Sequence, residues 1–141
     1  MNNLTRKYEL PNRNDLNEFL DIFGYPLKNL DDYKELKEDI AFAIQILKNE
    51  RLIGMALITK PQFTSDTHLL YLICVDPHFQ RKGLGSSMMN EILEWQKNNA
   101  SSLKLFCDFS KTPFYNKFGF LSTTPFEMQF FEYVPELTSE L

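Results

Sequence analysis

Leu16, Phe19, Leu20 and Phe23 recur at helical spacing, which predicts an amphipathic helix over residues 14–23, preceded by a short strand over Lys7 to Leu10. Gly24-Tyr25-Pro26 ends that helix, and the charged stretch from Asp31 to Asp39 offers a second, short one. Two strand-like runs follow, Ile40 to Leu47 and Leu52 to Thr59, separated by the turn-compatible Lys48-Asn49-Glu50-Arg51; this order predicts an antiparallel hairpin. After a loop over Pro61 to Asp66, the run from Leu69 to Val75 is continuously apolar, as a central strand buried on both faces would be.

Leu84, Met88, Ile92 and Trp95 mark the buried stripe of a helix running to about Asn98, and Leu103 to Cys107 reads as another strand. Strand, helix and strand in this order predict a parallel pair joined by a crossover. The loop at Gly83 and Gly85 then lies just beyond the carboxyl end of the first strand, where ligands bind in such sheets. In the short helix that follows, Thr112 suits the N-cap, Pro113 the first helical position and Gly119 the left-handed position after the end. Phe126 to Val134 closes the chain as an aromatic-rich strand. No repeat or low-complexity segment interrupts residues 1–141, so the expected architecture is one α+β domain with a mixed sheet.

Composition narrows the partners. The 141 residues are 43% hydrophobic, with 13 Phe and 6 Tyr, enough for one substantial core. With 15 basic and 19 acidic residues the net charge is -4, which argues against nucleic acid or an anionic membrane as partner. The start Met1 to Arg6 lacks the apolar stretch of a secretory signal, and the run Leu69 to Val75 is too short to span a bilayer, so the expected location is cytoplasmic. Cys74 and Cys107 stand in apolar runs rather than at metal-ligand spacing, which favours free thiols over a disulfide or a metal site.

The segment Gln80-Arg81-Lys82-Gly83-Leu84-Gly85-Ser86 carries the chemistry. A glycine-rich loop at a helix N-terminus offers unpaired backbone N–H groups and the positive end of the helix dipole, both suited to phosphate. Arg81 and Lys82 add positive charge in an acidic chain, which favours a polyanionic ligand. A dinucleotide-binding fingerprint fits poorly. Met88 occupies its third glycine position, and seven residues from Asp76 to Lys82 separate strand from glycine, where that fingerprint needs a tight turn.

Val75-Asp76-Pro77-His78-Phe79 followed by that loop resembles the coenzyme motif of the GNAT superfamily of acetyl-CoA-dependent N-acetyltransferases, whose core is Gln/Arg-x-x-Gly-x-Gly/Ala after a strand ending in Val-x-Pro. A second signature, Phe114-Tyr115-Asn116-Lys117-Phe118-Gly119-Phe120, stands about thirty residues downstream, where the family has Phe-Tyr-x-Lys-x-Gly-Phe. The resemblance implies a mostly antiparallel mixed sheet with flanking helices and a central parallel strand pair that splays to admit a thioester. It implies acetyl-CoA as cosubstrate and no metal. Ile73, Cys74 and Val75 would hold the pantetheine arm, Gln80 to Ser86 the pyrophosphate, and a backbone N–H at Cys74 or Val75 the developing oxyanion.

Acetyl transfer to an amine also needs a proton for the departing thiolate and a deprotonated nucleophile. By the resemblance Tyr115 is the general acid. Many relatives carry a carboxylate on the coenzyme strand, but Tyr71-Leu72-Ile73 has none. Asp108, after the next strand, is a candidate for base or amine partner and His68 another, with a water chain or no dedicated base as the alternatives. Tyr25, Tyr71, Phe109 and Phe19 are candidates to line the acceptor pocket. The expected activity is direct acetylation of a primary amine on a small molecule. The alternatives are a peptide or protein amine, or a non-catalytic acyl-CoA-binding module. The aromatic stretch from Phe126 to Tyr133 offers a surface through which a homodimer could form.

Overall fold

The computed structural model describes residues 3–61, 67–99, 102–107, 109–124 and 127–131. The elements in chain order are β1 (Leu4–Lys7), α1 (Arg13–Ile22), α2 (Leu30–Asp39), β2 (Ile40–Lys48), β3 (Arg51–Thr59), β4 (Thr67–Val75), α3 (Leu84–Asn99), β5 (Ser102–Phe106), α4 (Thr112–Asn116), β6 (Leu121–Thr124) and β7 (Glu127–Phe131). Single 3-10 turns at Pro77–Phe79 and Phe109–Lys111 lead toward α3 and α4. Seven strands are hydrogen-bonded in the order β1-β2-β3-β4-β5-β7-β6, a mixed sheet in which β4 and β5 run parallel. The chain divides into two compact units, Met1–Lys60 with Tyr71–Met88 and Pro61–Leu70 with Met89–Leu141. No helix among the described residues is long and apolar enough to cross a membrane.

In the first unit the core forms where α1 lays Leu16 and Phe19 on β2 and β3, against Ala43, Leu52, Met55 and Leu57. Asn12 fixes the start of α1: its side chain accepts a hydrogen bond from the Asp15 N–H at 2.9 Å, and Asn29 does the same for α2 from the Asp32 N–H at 3.0 Å. The hairpin between β2 and β3 turns on Asn49 and Glu50, whose φ angles of 50° and 68° suit the two-residue turns that match strand twist. The first strand lies earlier than its sequence suggested, over Leu4–Lys7 rather than Lys7 to Leu10. Its ladder on β2 ends at Lys7↔Gln45, and the Glu9 carbonyl is taken by the Gln45 side chain at 2.8 Å instead of by backbone.

β3 is the strand buried throughout, from Leu52 to Thr59. β4 departs from the expected two-sided burial. Leu72 and Cys74 pack on the core beside α1, while Tyr71 on the opposite face is 56% exposed and Ile73 and Val75 are half-buried. Successive side chains of a strand alternate faces, so this stretch presents one packed face and one open face.

In the second unit, three parallel pairs join β4 to β5, from Thr67↔Ser102 to Leu69↔Lys104, and the ladder ends there although both strands run on. The hydroxyls of Thr67 and Ser102 meet at 2.8 Å beneath it. β7 pairs antiparallel with β5 over Ser102↔Phe131 to Phe106↔Glu127. The strand expected over Phe126 to Val134 is found over Glu127–Phe131, with Phe126 and residues 132–134 outside the described residues. β6, Leu121–Thr124, was not expected at all. Its exposed Ser and Thr positions carry no apolar alternation, and pairing with β7 makes it a strand. Thr112 does not cap α4. The turn Phe109–Lys111 runs straight into the helix, so Lys111 precedes it with helical angles and no side chain caps it, while Gly119 takes the expected left-handed φ of 95°.

Candidate functional site

The site is built where β4 ends. The Asp76 N–H donates to the Ile53 carbonyl of β3 at 2.8 Å, so by alternation the Cys74 N–H also faces β3, whereas the N–H and C=O groups of Ile73 and Val75 face away from it. The Val75 carbonyl accepts the Gln80 side-chain amide at 2.9 Å, a bond that ties the glycine loop back to its own strand. Ile73 and the Val75 N–H thus form the edge that an extended ligand could join as an added strand.

Asp76 is buried, 1% exposed, and its contacts tie it to β3 and to the turn that follows. One oxygen accepts from the His78 N–H at 2.9 Å and lies 3.1 Å from His78 Nδ1; the other accepts from Arg51 at 3.2 Å. Burial pushes this carboxyl up, but the hydrogen bonds from His78 and the charges of His78 and Arg51 outweigh it and hold the pKa below its ordinary value. The Phe79 N–H closes the turn on the Asp76 carbonyl at 2.8 Å.

The loop then takes two left-handed steps, Arg81 at φ 63° and Gly83 at φ 84°. A Cβ at Gly83 would meet nothing within 4 Å, so the backbone there borders open space. The first intrahelical bond of α3 runs from the Ser87 N–H to the Gly83 carbonyl at 2.9 Å, which leaves the N–H groups of Gly83 to Ser86 without intrahelical acceptors. Cations surround this end. Lys48 and Lys82 place their ammonium groups 5.3 and 5.9 Å from the Phe79 ring centre, Arg81 is exposed, and Arg6 donates to the Ser87 hydroxyl. In a chain of net charge -4, such a cradle fits a pyrophosphate.

In the second unit, Tyr115 is the fourth residue of the one-turn helix α4, half-buried with its ring edge-on to Phe114 at 5.2 Å and to Phe120 at 5.9 Å. His68 stands edge-on to Trp95 at 5.4 Å. Burial lowers its pKa, and its Nδ1 is buried without a hydrogen-bond partner among the described residues.

Against this geometry, residues 7–120 match the acetyltransferase (GNAT) family. The chain belongs to the GNAT family and is an acetyltransferase. Solved structures agree in fold. Ard1 from Thermoplasma volcanium superposes with a TM-score of 0.75 at 18% identity, covering 94% of this chain and 99% of that one. The ribosomal-protein-S18-alanine N-acetyltransferase of Escherichia coli gives 0.75 at 16% identity, over 92% and 96%. The protein SA2161 of methicillin-resistant Staphylococcus aureus gives 0.74 at 23% identity, over 86% and 92%. No curated protein matches the sequence.

GNAT enzymes use acetyl-CoA as cosubstrate, and the residues from Ile73 to Ser86 suit its extended arm and its pyrophosphate. No group of His, Cys, Asp and Glu among the described residues could hold a metal. Of the residues expected to meet the acceptor, Tyr25 and Tyr71 are exposed, at 79% and 56%. Phe19 is not; at 2% exposure it belongs to the core, edge-on to Phe23 at 5.3 Å, because α1 turns that stripe inward. The backbone of Phe109 opens the turn before α4, and Asp108 lies outside the described residues. Sequence reasoning named Asp76 only as part of a motif and missed Arg6, Lys48 and Arg51. An Asp-Pro step is a cap signal that could have found the first, but nothing local marks three cations delivered from β1, β2 and β3.

Cys74 is a free thiol whose burial pushes its pKa up to about 11. A thiol kept protonated by burial is a poor nucleophile, which favours direct transfer over an acyl-enzyme route. Cys74→Ala is expected to keep parental turnover within about threefold. Alkylation of Cys74 by iodoacetamide should accelerate about tenfold per pH unit from pH 8 to 10. Loss of turnover in Cys74→Ala, or an acetyl group trapped on Cys74, would show instead that the thiol takes part.

Proposed function

We propose that this acetyltransferase moves the acetyl group of acetyl-CoA directly to a primary amine of a small molecule. The observation that carries the donor half is the glycine loop: left-handed backbone, helical N–H groups without intrahelical acceptors and lysines over the adjoining Phe79, next to an open strand edge. The cosubstrate supplies an acyl thioester. Backbone N–H groups of Arg81 to Ser86 hold its pyrophosphate, and Ile73 and Val75 bind its arm. The Val75 N–H is the oxyanion donor, because that of Cys74 faces β3.

Tyr115 donates its hydroxyl proton to the departing thiolate, and Asp108 receives the cationic amine or takes its proton. Tyr25, Tyr71 and Phe109 line the acceptor side. A peptide or protein amine is the second reading, supported by the shared fold with the Escherichia coli enzyme named for acetylating an alanine of a ribosomal protein. A panel of small amines and of short peptides with free N-termini, assayed with acetyl-CoA and mass detection of products, separates the two. Acetylated peptides without acetylated small amines would overturn the small-molecule reading.

A further inference from the structure

We propose that Asp76 is the positioning residue of the glycine loop, acting through the cap it places on the Pro77–Phe79 turn. The proposal rests on the reading of that loop as the pyrophosphate site. Asp76 offers no surface to a ligand, being 1% exposed, and its contacts run inward or along the chain. Its backbone N–H is fixed to β3 through Ile53, and its carboxylate accepts the His78 N–H at 2.9 Å. Between these two anchors the chain turns sharply, and the turn delivers Arg81 and Gly83 in left-handed conformations at 63° and 84°. A non-glycine residue at positive φ is held there only where its surroundings determine it, and Asp76, directly after the end of β4 at Val75, supplies that determination on the way to Arg81.

Arg51 plays a different part. It is exposed and reaches Asp76 at 3.2 Å, balancing the charge of a buried carboxylate. A buried anion close to a phosphate-binding loop opposes phosphate, so its presence is explained by the shape it imposes rather than by its charge. The two effects predict opposite signs. Losing the charge alone should leave coenzyme affinity unchanged or raise it; losing the cap should reduce the fraction of molecules whose loop is ready to bind, and affinity falls with that fraction.

The test is calorimetric titration of coenzyme A into the folded parent, Asp76→Asn, Asp76→Ala and Asp76→Leu. Asparagine caps as well as aspartate. Asp76→Asn should therefore bind within about twofold of the parent. Asp76→Ala lacks the cap and should bind roughly three- to thirtyfold more weakly, the range that a lost cap contributes. Asp76→Leu fills the buried volume without a cap and should match Asp76→Ala, which separates capping from packing. In turnover, the KM for acetyl-CoA should rise by the same factor in both uncapped variants with kcat unchanged, a split that general loss of stability would not produce. Parental affinity in Asp76→Ala and Asp76→Leu overturns the proposal, as does Asp76→Asn binding as weakly as they do. Failure of both uncapped variants to fold also overturns it, by making Asp76 a folding residue. A parent that binds no coenzyme A sinks the loop assignment itself, an outcome distinct from all of these.

Discussion

Tyr115→Phe is expected to lower turnover about 10²- to 10⁴-fold while coenzyme affinity and thermal stability stay close to parental values. The substitution removes one hydroxyl and keeps the ring, whose edge-on contacts with Phe114 and Phe120 at 5.2 and 5.9 Å account for its packing. Phe118 packs on the other side of this cluster, against Phe114 at 5.3 Å. A phenol of reference pKa about 10 facing a thiolate of about 8.5 is a slightly unfavourable donor in the ground state. As the proposed acid it would contribute through position beside a developing anion, and that contribution would be lost with the hydroxyl. The comparison is made where chemistry limits the rate. Parental turnover in Tyr115→Phe would leave Tyr115 a packing residue.

The second large effect is expected at Gly85. Gly83 is conformationally required, at φ 84°, but Gly85 lies inside α3, where a helical backbone needs no glycine and loses up to about 1 kcal/mol by having one. At the proposed pyrophosphate site, close approach of the ligand to the backbone would account for it. Gly85→Val should weaken acetyl-CoA binding roughly 10²-fold or more, since two or three charge-assisted hydrogen bonds to phosphate become unreachable. Gly85→Ala makes the sign test: its melting temperature should hold or rise while its affinity falls. A Gly85→Val protein that binds as tightly as the parent in calorimetry would displace the pyrophosphate from this loop.

The elements that carry the glycine loop were legible in the sequence, because they are local. The helical stripe Leu84, Met88, Ile92 was enough to place α3, which runs Leu84–Asn99, and a glycine loop before a helix has a physical meaning without any tertiary context. The hairpin of β2 and β3 was legible for the same reason, its turn residues lying between two apolar runs. What failed was set by contacts distant in sequence. β6 becomes a strand only by pairing with β7, and β1 is shifted toward the N-terminus by a Gln45 side chain that claims the carbonyl of Glu9. The open face of β4 was hidden by uniform hydrophobicity: Leu72 and Cys74 are half-buried against the core, and Tyr71, equally apolar to a reader of periodicity, is exposed. The basic rim of the loop has the same origin, since Arg6 and Lys48 reach it from β1 and β2.

Amine-dependent release of the coenzyme thiol tests the central claim most directly. The folded protein is mixed with acetyl-CoA, and free thiol is followed as each amine of the panel is added, with acetylated product counted by mass spectrometry. Direct transfer predicts thiol release only when a competent amine is present, in one-to-one ratio with the acetylated amine. Tight binding of acetyl-CoA with no thiol release across the whole panel would contradict it.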